Sequence, residues 1–145
     1  MNIGVVGNPR YADLQSILRL LADLAPKRGI TLFTDEGLES LWPKAPAPIQ
    51  GAKLDVLITL GGDGTLLRGA RLLDGRETPI LGVNLGRVGF LTSAARESFA
   101  AAIDAVAAGR YAIERRQALR AVIHGADGSE RSLTHALNEI GRAHV

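Results

Sequence analysis

Leu54-Asp55-Val56-Leu57-Ile58-Thr59-Leu60, followed at once by Gly61-Gly62-Asp63-Gly64-Thr65, decides how this chain folds. The first seven residues are the most continuously apolar run in the sequence. Short, leucine-rich and β-branched, the run reads as a strand buried on both faces, as in a parallel sheet. The three glycines after it let the backbone turn sharply with positive φ and let a ligand approach the main chain closely. A helix is expected over Thr65 to Leu73, and the amides at its start suit phosphate. A carboxylate among such amides repels phosphate, so Asp63 needs another job. Three fit: accepting a proton from a hydroxyl that attacks a phosphoryl group, helping to hold a charge-neutralising metal ion, or capping the helix locally.

Outward from this stretch, strands and helices alternate. Asn2 to Gly7 reads as a buried first strand stopping at the turn Gly7-Asn8-Pro9-Arg10. Leu14, Ile17, Leu18, Leu21 and Leu24 then recur at helical spacing until Pro26 and Gly29 close the pattern. Ile30 to Thr34 is a second short strand. Strand, helix, strand predicts a right-handed crossover and a parallel sheet whose ligands gather at the carboxyl ends of the strands. Asn8 and Arg10 therefore share a rim with Asp63.

Between Asp35 and Lys53, Pro43, Pro46 and Pro48 alternate with alanines and end at Gly51, so an extended, mobile loop is expected. Trp42, the only tryptophan, serves there as a peg holding the loop to the domain or as a ligand platform. In the helix after Asp63, Leu66, Leu67, Ala70 and Leu73 point inward, leaving Arg68 and Arg71 near the rim or in solvent. Thr78 to Asn84 is the next strand, with Pro79 tolerable only at its start. Arg96 to Gly109 reads as an alanine-rich helix burying Phe99, Ile103 and Val106. Beyond Tyr111 the apolar residues alternate, and Gly125-Ala126-Asp127-Gly128 marks a turn. A β-hairpin is expected, returning through Arg131 to Ile140. The fold class is α/β, a Rossmann-like three-layer parallel sheet, with the start of an all-β second domain at the carboxyl end.

The 17 basic residues are scattered among 15 acidic ones, and the net charge of +2 gives no case for nucleic acid or a membrane surface. Without cysteine there are no disulfides or thiolate metal sites, and His124, His135 and His144 lack the clustering of a zinc site. No apolar run approaches the length of a bilayer span, which fits a cytoplasmic protein.

Gly61-Gly62-Asp63-Gly64-Thr65 resembles the signature shared by the NAD kinases, the diacylglycerol and sphingosine lipid kinases and, with small changes, the 6-phosphofructokinases. Gly82-Val83-Asn84-Leu85-Gly86-Arg87-Val88-Gly89-Phe90-Leu91-Thr92 resembles the NAD kinases in particular, and Ala136-Leu137-Asn138-Glu139 is similar to that family's second ligand motif. The glycine spacing after Gly82 does not match a Gly-x-Gly-x-x-Gly dinucleotide fingerprint, which disfavours a Rossmann dehydrogenase.

The resemblance implies phosphoryl transfer from ATP or polyphosphate to the 2′-hydroxyl of the adenosine ribose of NAD, giving NADP. It implies Asp63 as the catalytic base, donor phosphates held around Gly61, Gly62, Gly64 and Thr65, and a divalent ion, Mg²⁺ in the first instance. Arg68 is then a ligand contact or a solvated helix arginine, and Arg10 approaches the donor phosphates or is a solvated loop arginine. Phe90 packs near the acceptor nucleotide or in the core, while Asn138 and Glu139 contact the ribose and base side of NAD. No residue is assigned as a metal ligand. The family's domain layout implies an α/β nucleotide-binding domain over residues 1–110 and the first hairpin of a β-sandwich over 111–145. The sequence thus reads as the amino-terminal half of a homo-oligomeric enzyme, with an exposed edge, poor activity alone and a tendency to associate. The last five residues, Gly141 to Val145, match no recognised pattern. A lipid kinase and a catalytically silent nucleotide-binding module are the alternatives.

Overall fold

A computed structural model describes residues 1–86, 94–117 and 122–132. The chain divides into two compact units, Met1–Ala112 and Ile113–Val145.

The first unit is built on a six-stranded parallel sheet: β1 (Asn2–Gly7), β2 (Thr31–Thr34), β3 (Ala47–Pro48), β4 (Val56–Gly61), β5 (Ile80–Asn84) and β6 (Ala94–Ala95). Its order is β3-β2-β1-β4-β5-β6. The chain therefore winds outward one way from β1 and the other way from β4, and these two adjacent strands form the topological switch point. Every residue of β4, and all of β1 after Asn2, is buried. The expected continuous apolar strand is thus a central one.

Alternate residues of these strands feed two cores. Ile3, Val5, Val56, Ile58 and Leu60 pack with α1 (Leu14–Lys27) and α3 (Phe99–Ala107). Val6 and Leu57 pack on the opposite face with Leu73 of α2 (Asp63–Leu73). The result is the expected three-layer α/β arrangement. In α1 the buried stripe ends on Ala25 rather than Leu24, and Pro26 lies inside the last turn. α2 begins two residues earlier than expected and buries Leu66, Gly69 and Leu73, with Leu67 and Ala70 only partly covered. Gly69 is needed there, because a methyl group would come within 2.8 Å of Thr59 Cγ2 and 3.0 Å of Leu57 Cδ2. A 3-10 turn at Arg96–Ser98 precedes α3, whose buried Phe99, Ile103 and Val106 match the expected face.

The proline-rich stretch after Asp35 differs from the extended, mobile loop expected of it. Glu36–Leu41 forms a 3-10 turn, and β3 adds to β2 as an edge strand, where a proline is tolerated. Leu38, Trp42 and Ile49 are all buried, so the segment is pinned along its length. Trp42 is a peg: its Nε1 donates to Thr34 Oγ1 at 2.7 Å.

In the second unit, β7 (Val122–His124) and β8 (Glu130–Ser132) form an antiparallel pair around the expected turn. The Gly125 amide donates to the Ser129 carbonyl at 2.8 Å, and the Ser129 amide donates to Asp127 Oδ1 at 2.9 Å. Hydrogen bonds from the Ser129 side chain and backbone hold the Asp127 carboxyl below its usual range. The rest of the expected return strand, with Asn138 and Glu139, lies outside the described residues.

Candidate functional site

In an open parallel sheet the crevice for a ligand lies at the carboxyl ends of the strands flanking the switch point. Such a cleft, about 700 Å³ in volume, opens here beyond β1 and β4. Its walls are the end of β1 at Gly7 and Asn8, Asp35 after β2, and the start of α2 from Gly62 to Thr65 with Arg68 one turn on. The loops are tied to the sheet: the Asn8 amide donates to the Leu60 carbonyl at 3.0 Å and the Leu85 amide to the Gly61 carbonyl at 2.8 Å.

The motif glycines serve for reasons other than positive φ. Among the described residues, glycines with positive φ are Gly29, Gly51, Gly75, Gly109 and Gly128, none of them in the motif. Gly61 is required by packing, since a β-carbon there would lie 2.8 Å from the Cβ of buried Thr65. Gly62 is extended, at φ −133 and ψ −159, and as N-cap of α2 brings no capping side chain. A methyl group on Gly64 would meet no atom of the described residues within 4 Å. Glycine in the middle of a helix is roughly 0.5–1 kcal/mol worse than alanine, and nothing among the described residues accounts for a glycine at position 64. Its missing side chain keeps the first turn of α2 open to the cleft.

Asp63 is the first residue of α2, half-buried in the cleft wall, where a negative charge interacts favourably with the helix dipole. Thr65 is buried beneath it. Arg68 also reaches the cleft, exposed yet tied down. Its Nη1 donates to Asp35 Oδ2 at 2.5 Å and its Nη2 to the Gly7 carbonyl at 2.7 Å. Asn8 lines the cleft, whereas Arg10, which donates its amide to Asn8 Oδ1 at 3.0 Å, is exposed outside the lining.

Among the lining residues not singled out by sequence reasoning are Asp35 and Tyr11. Asp35 follows β2 directly, and the rule that put Asn8 on the rim applies equally to it. Tyr11 closes the other side: a β-carbon on Gly86 would come within 2.9 Å of its Cε1, and one on Gly62 within 3.5 Å of its hydroxyl. Tyr11 thus stands between the two glycine-bearing loops, a place no local pattern reveals. Phe90, Asn138 and Glu139 lie outside the described residues.

Residues 3–111, nearly the whole of the unit that carries this cleft, match the family model of the ATP-NAD kinase N-terminal domain. The chain belongs to that family. An NAD kinase from Gemmatimonas aurantiaca is 43% identical over 140 residues, 97% of this chain and 48% of that protein. One from Methanothermobacter thermautotrophicus is 36% identical, over 97% of this chain and 48% of its own. The chain thus spans about half the length of the curated relatives it matches. Among solved structures, yeast NADH kinase complexed with NADH superposes with a TM-score of 0.73 at 20% identity, covering 95% of this chain and 44% of that one. An Archaeoglobus fulgidus NAD kinase in complex with ATP gives 0.59 at 25% identity, covering 95% and 46%. These ATP-NAD kinase relatives share the α/β fold described above. No helix among the described residues is long and apolar enough to cross a membrane.

Proposed function

We propose that this chain carries the phosphate-donor site of an NAD kinase, which transfers a phosphoryl group from ATP or polyphosphate to the 2′-hydroxyl of the adenosine ribose of NAD. The observation that carries the reading is the open first turn of α2 at the switch-point cleft, with Gly64 leaving room for phosphate and Asp63 beside it. The relatives' names favour NAD over a lipid as acceptor.

Asp63 orients the acceptor hydroxyl and takes its proton as the oxygen forms its bond to phosphorus. The bond from that phosphorus to the donor's bridging oxygen breaks, and the shortened donor leaves. The amides around Gly62, Gly64 and Thr65 stabilise the transferring oxygens. Among the described residues no group of three or more histidine, cysteine, aspartate or glutamate side chains is placed to hold a metal ion. A divalent ion such as Mg²⁺ would be carried mainly by the donor phosphates. When bound, the ion neutralises phosphate charge.

Phe90, Asn138 and Glu139 are assigned to the acceptor side. In the same reading residues 1–110 form the nucleotide-binding domain, residues 111–145 begin an all-β NAD-binding domain, and the whole enzyme is a cytoplasmic homo-oligomer. Asp63→Asn tests the assignment: NADP formation from NAD and ATP should disappear while circular dichroism stays unchanged. Retained turnover in that variant rules out Asp63 as the base, and phosphorylation of diacylglycerol instead of NAD rules out the acceptor.

A further inference from the structure

We infer that Asp35 is a positioning residue of the phosphate site, fixing Arg68 so that the remaining donors of its guanidinium meet the donor phosphates. The inference rests on the donor-site reading above. Asp35 is 8% exposed at the end of β2, and its two oxygens do different work. Oδ1 accepts the Glu36 amide at 3.0 Å and caps the 3-10 turn, while Oδ2 accepts Arg68 Nη1 at 2.5 Å. The Gly7 carbonyl holds Nη2 at 2.7 Å. A planar guanidinium gripped at both terminal nitrogens has its plane and direction set. Of its five N–H donors, two are committed to these contacts, and the side chain stays 45% exposed at the cleft wall.

Electrostatics makes this arrangement informative. Among the described residues the cleft is lined by the carboxylates of Asp35, Glu36 and Asp63 against the single guanidinium of Arg68. A further buried carboxylate beside a phosphate site is unfavourable through its charge alone, and burying it is costly unless it is paired. The cost is offset if orienting Arg68 matters more to the phosphates than the added repulsion. Three segments distant in sequence, the ends of β1 and β2 and the second turn of α2, meet in this one grip.

The two effects predict opposite signs. If Asp35 acted only through its charge, Asp35→Asn would make the cleft less negative and tighten polyanion binding. Positioning predicts weaker binding, and asparagine still offers an oxygen to the Glu36 amide, so the cap survives. Inorganic tripolyphosphate with Mg²⁺ is titrated calorimetrically into the full chain, wild type, Asp35→Asn, Arg68→Ala and the double variant, with thermal melts of each. The expected result is roughly tenfold weaker binding for Asp35→Asn, on the scale of a charge-assisted hydrogen bond, and no further loss when it is added to Arg68→Ala. Unchanged or tighter binding in Asp35→Asn overturns the inference alone, as does an equal loss in the Arg68→Ala background. Absence of tripolyphosphate binding by the wild type overturns the donor-site reading and the inference with it.

Discussion

The side chain of buried Thr65 fills the space that a β-carbon on Gly61 would need, its own Cβ only 2.8 Å from that point. The last residue of β4 and the third of α2 are therefore fitted to each other at the wall of the cleft. Gly61→Ala forces them apart, and overpacking of this kind costs about 1–3 kcal/mol. Urea unfolding followed by circular dichroism should show that loss, and a variant as stable as wild type contradicts the packing account of this glycine.

Trp42 anchors the proline-rich segment through its indole N–H and the hydroxyl of Thr34. Thr34→Val leaves that buried N–H without its acceptor, at a cost of about 1–3 kcal/mol. Trp42→Phe removes donor and ring edge together. Both variants should melt below wild type, and the double variant should lose less than the two single losses combined.

In the hairpin of the second unit, hydrogen bonds from Ser129 lower the pKa of Asp127 from an ordinary value of 3.8. Ser129→Ala should raise it toward that value, as read from the carboxyl ¹³C shift during an NMR titration. The sign follows from linkage: a carboxyl with a depressed folded pKa contributes stability above its unfolded pKa, lost as pH falls through the folded one. The hairpin turn should therefore loosen in acid, below the ordinary carboxylate range, and Ser129→Ala should remove the side chain's share of that dependence while the backbone amide of residue 129 keeps its own. An unshifted Asp127 in the variant contradicts the turn geometry.

The central strands were legible because their signal is local: short, mostly apolar runs such as Val56 to Leu60, broken only by Thr59, read as buried. The inward face of α3 was equally plain from the spacing of Phe99, Ile103 and Val106. The segment after Asp35 misled because Leu38, Trp42 and Ile49 enter the core without any helical or strand period, and the prolines signal only the absence of a helix. At the site, the motif showed where Asp63 stands, but not why its glycines are there. Gly61 answers to Thr65 and Gly86 to Tyr11, contacts that only the folded chain contains. Arg68 bonds to Asp35 and Gly7, 33 and 61 residues away in sequence, and no periodicity carries information over such distances.

Gly64 gives the most direct access to the central claim, that the first turn of α2 receives the donor phosphates. Among the described residues neither φ nor packing requires glycine there, so Gly64→Ala should fold at least as stably as wild type, with a gain of up to roughly 1 kcal/mol. Calorimetric titration of ATP with Mg²⁺ into both proteins is the measurement. Binding by wild type, weakened about tenfold or more by a methyl group that the phosphates would meet, is the result the account predicts. Equal ATP affinity in a stably folded Gly64→Ala would place the phosphates elsewhere and contradict it.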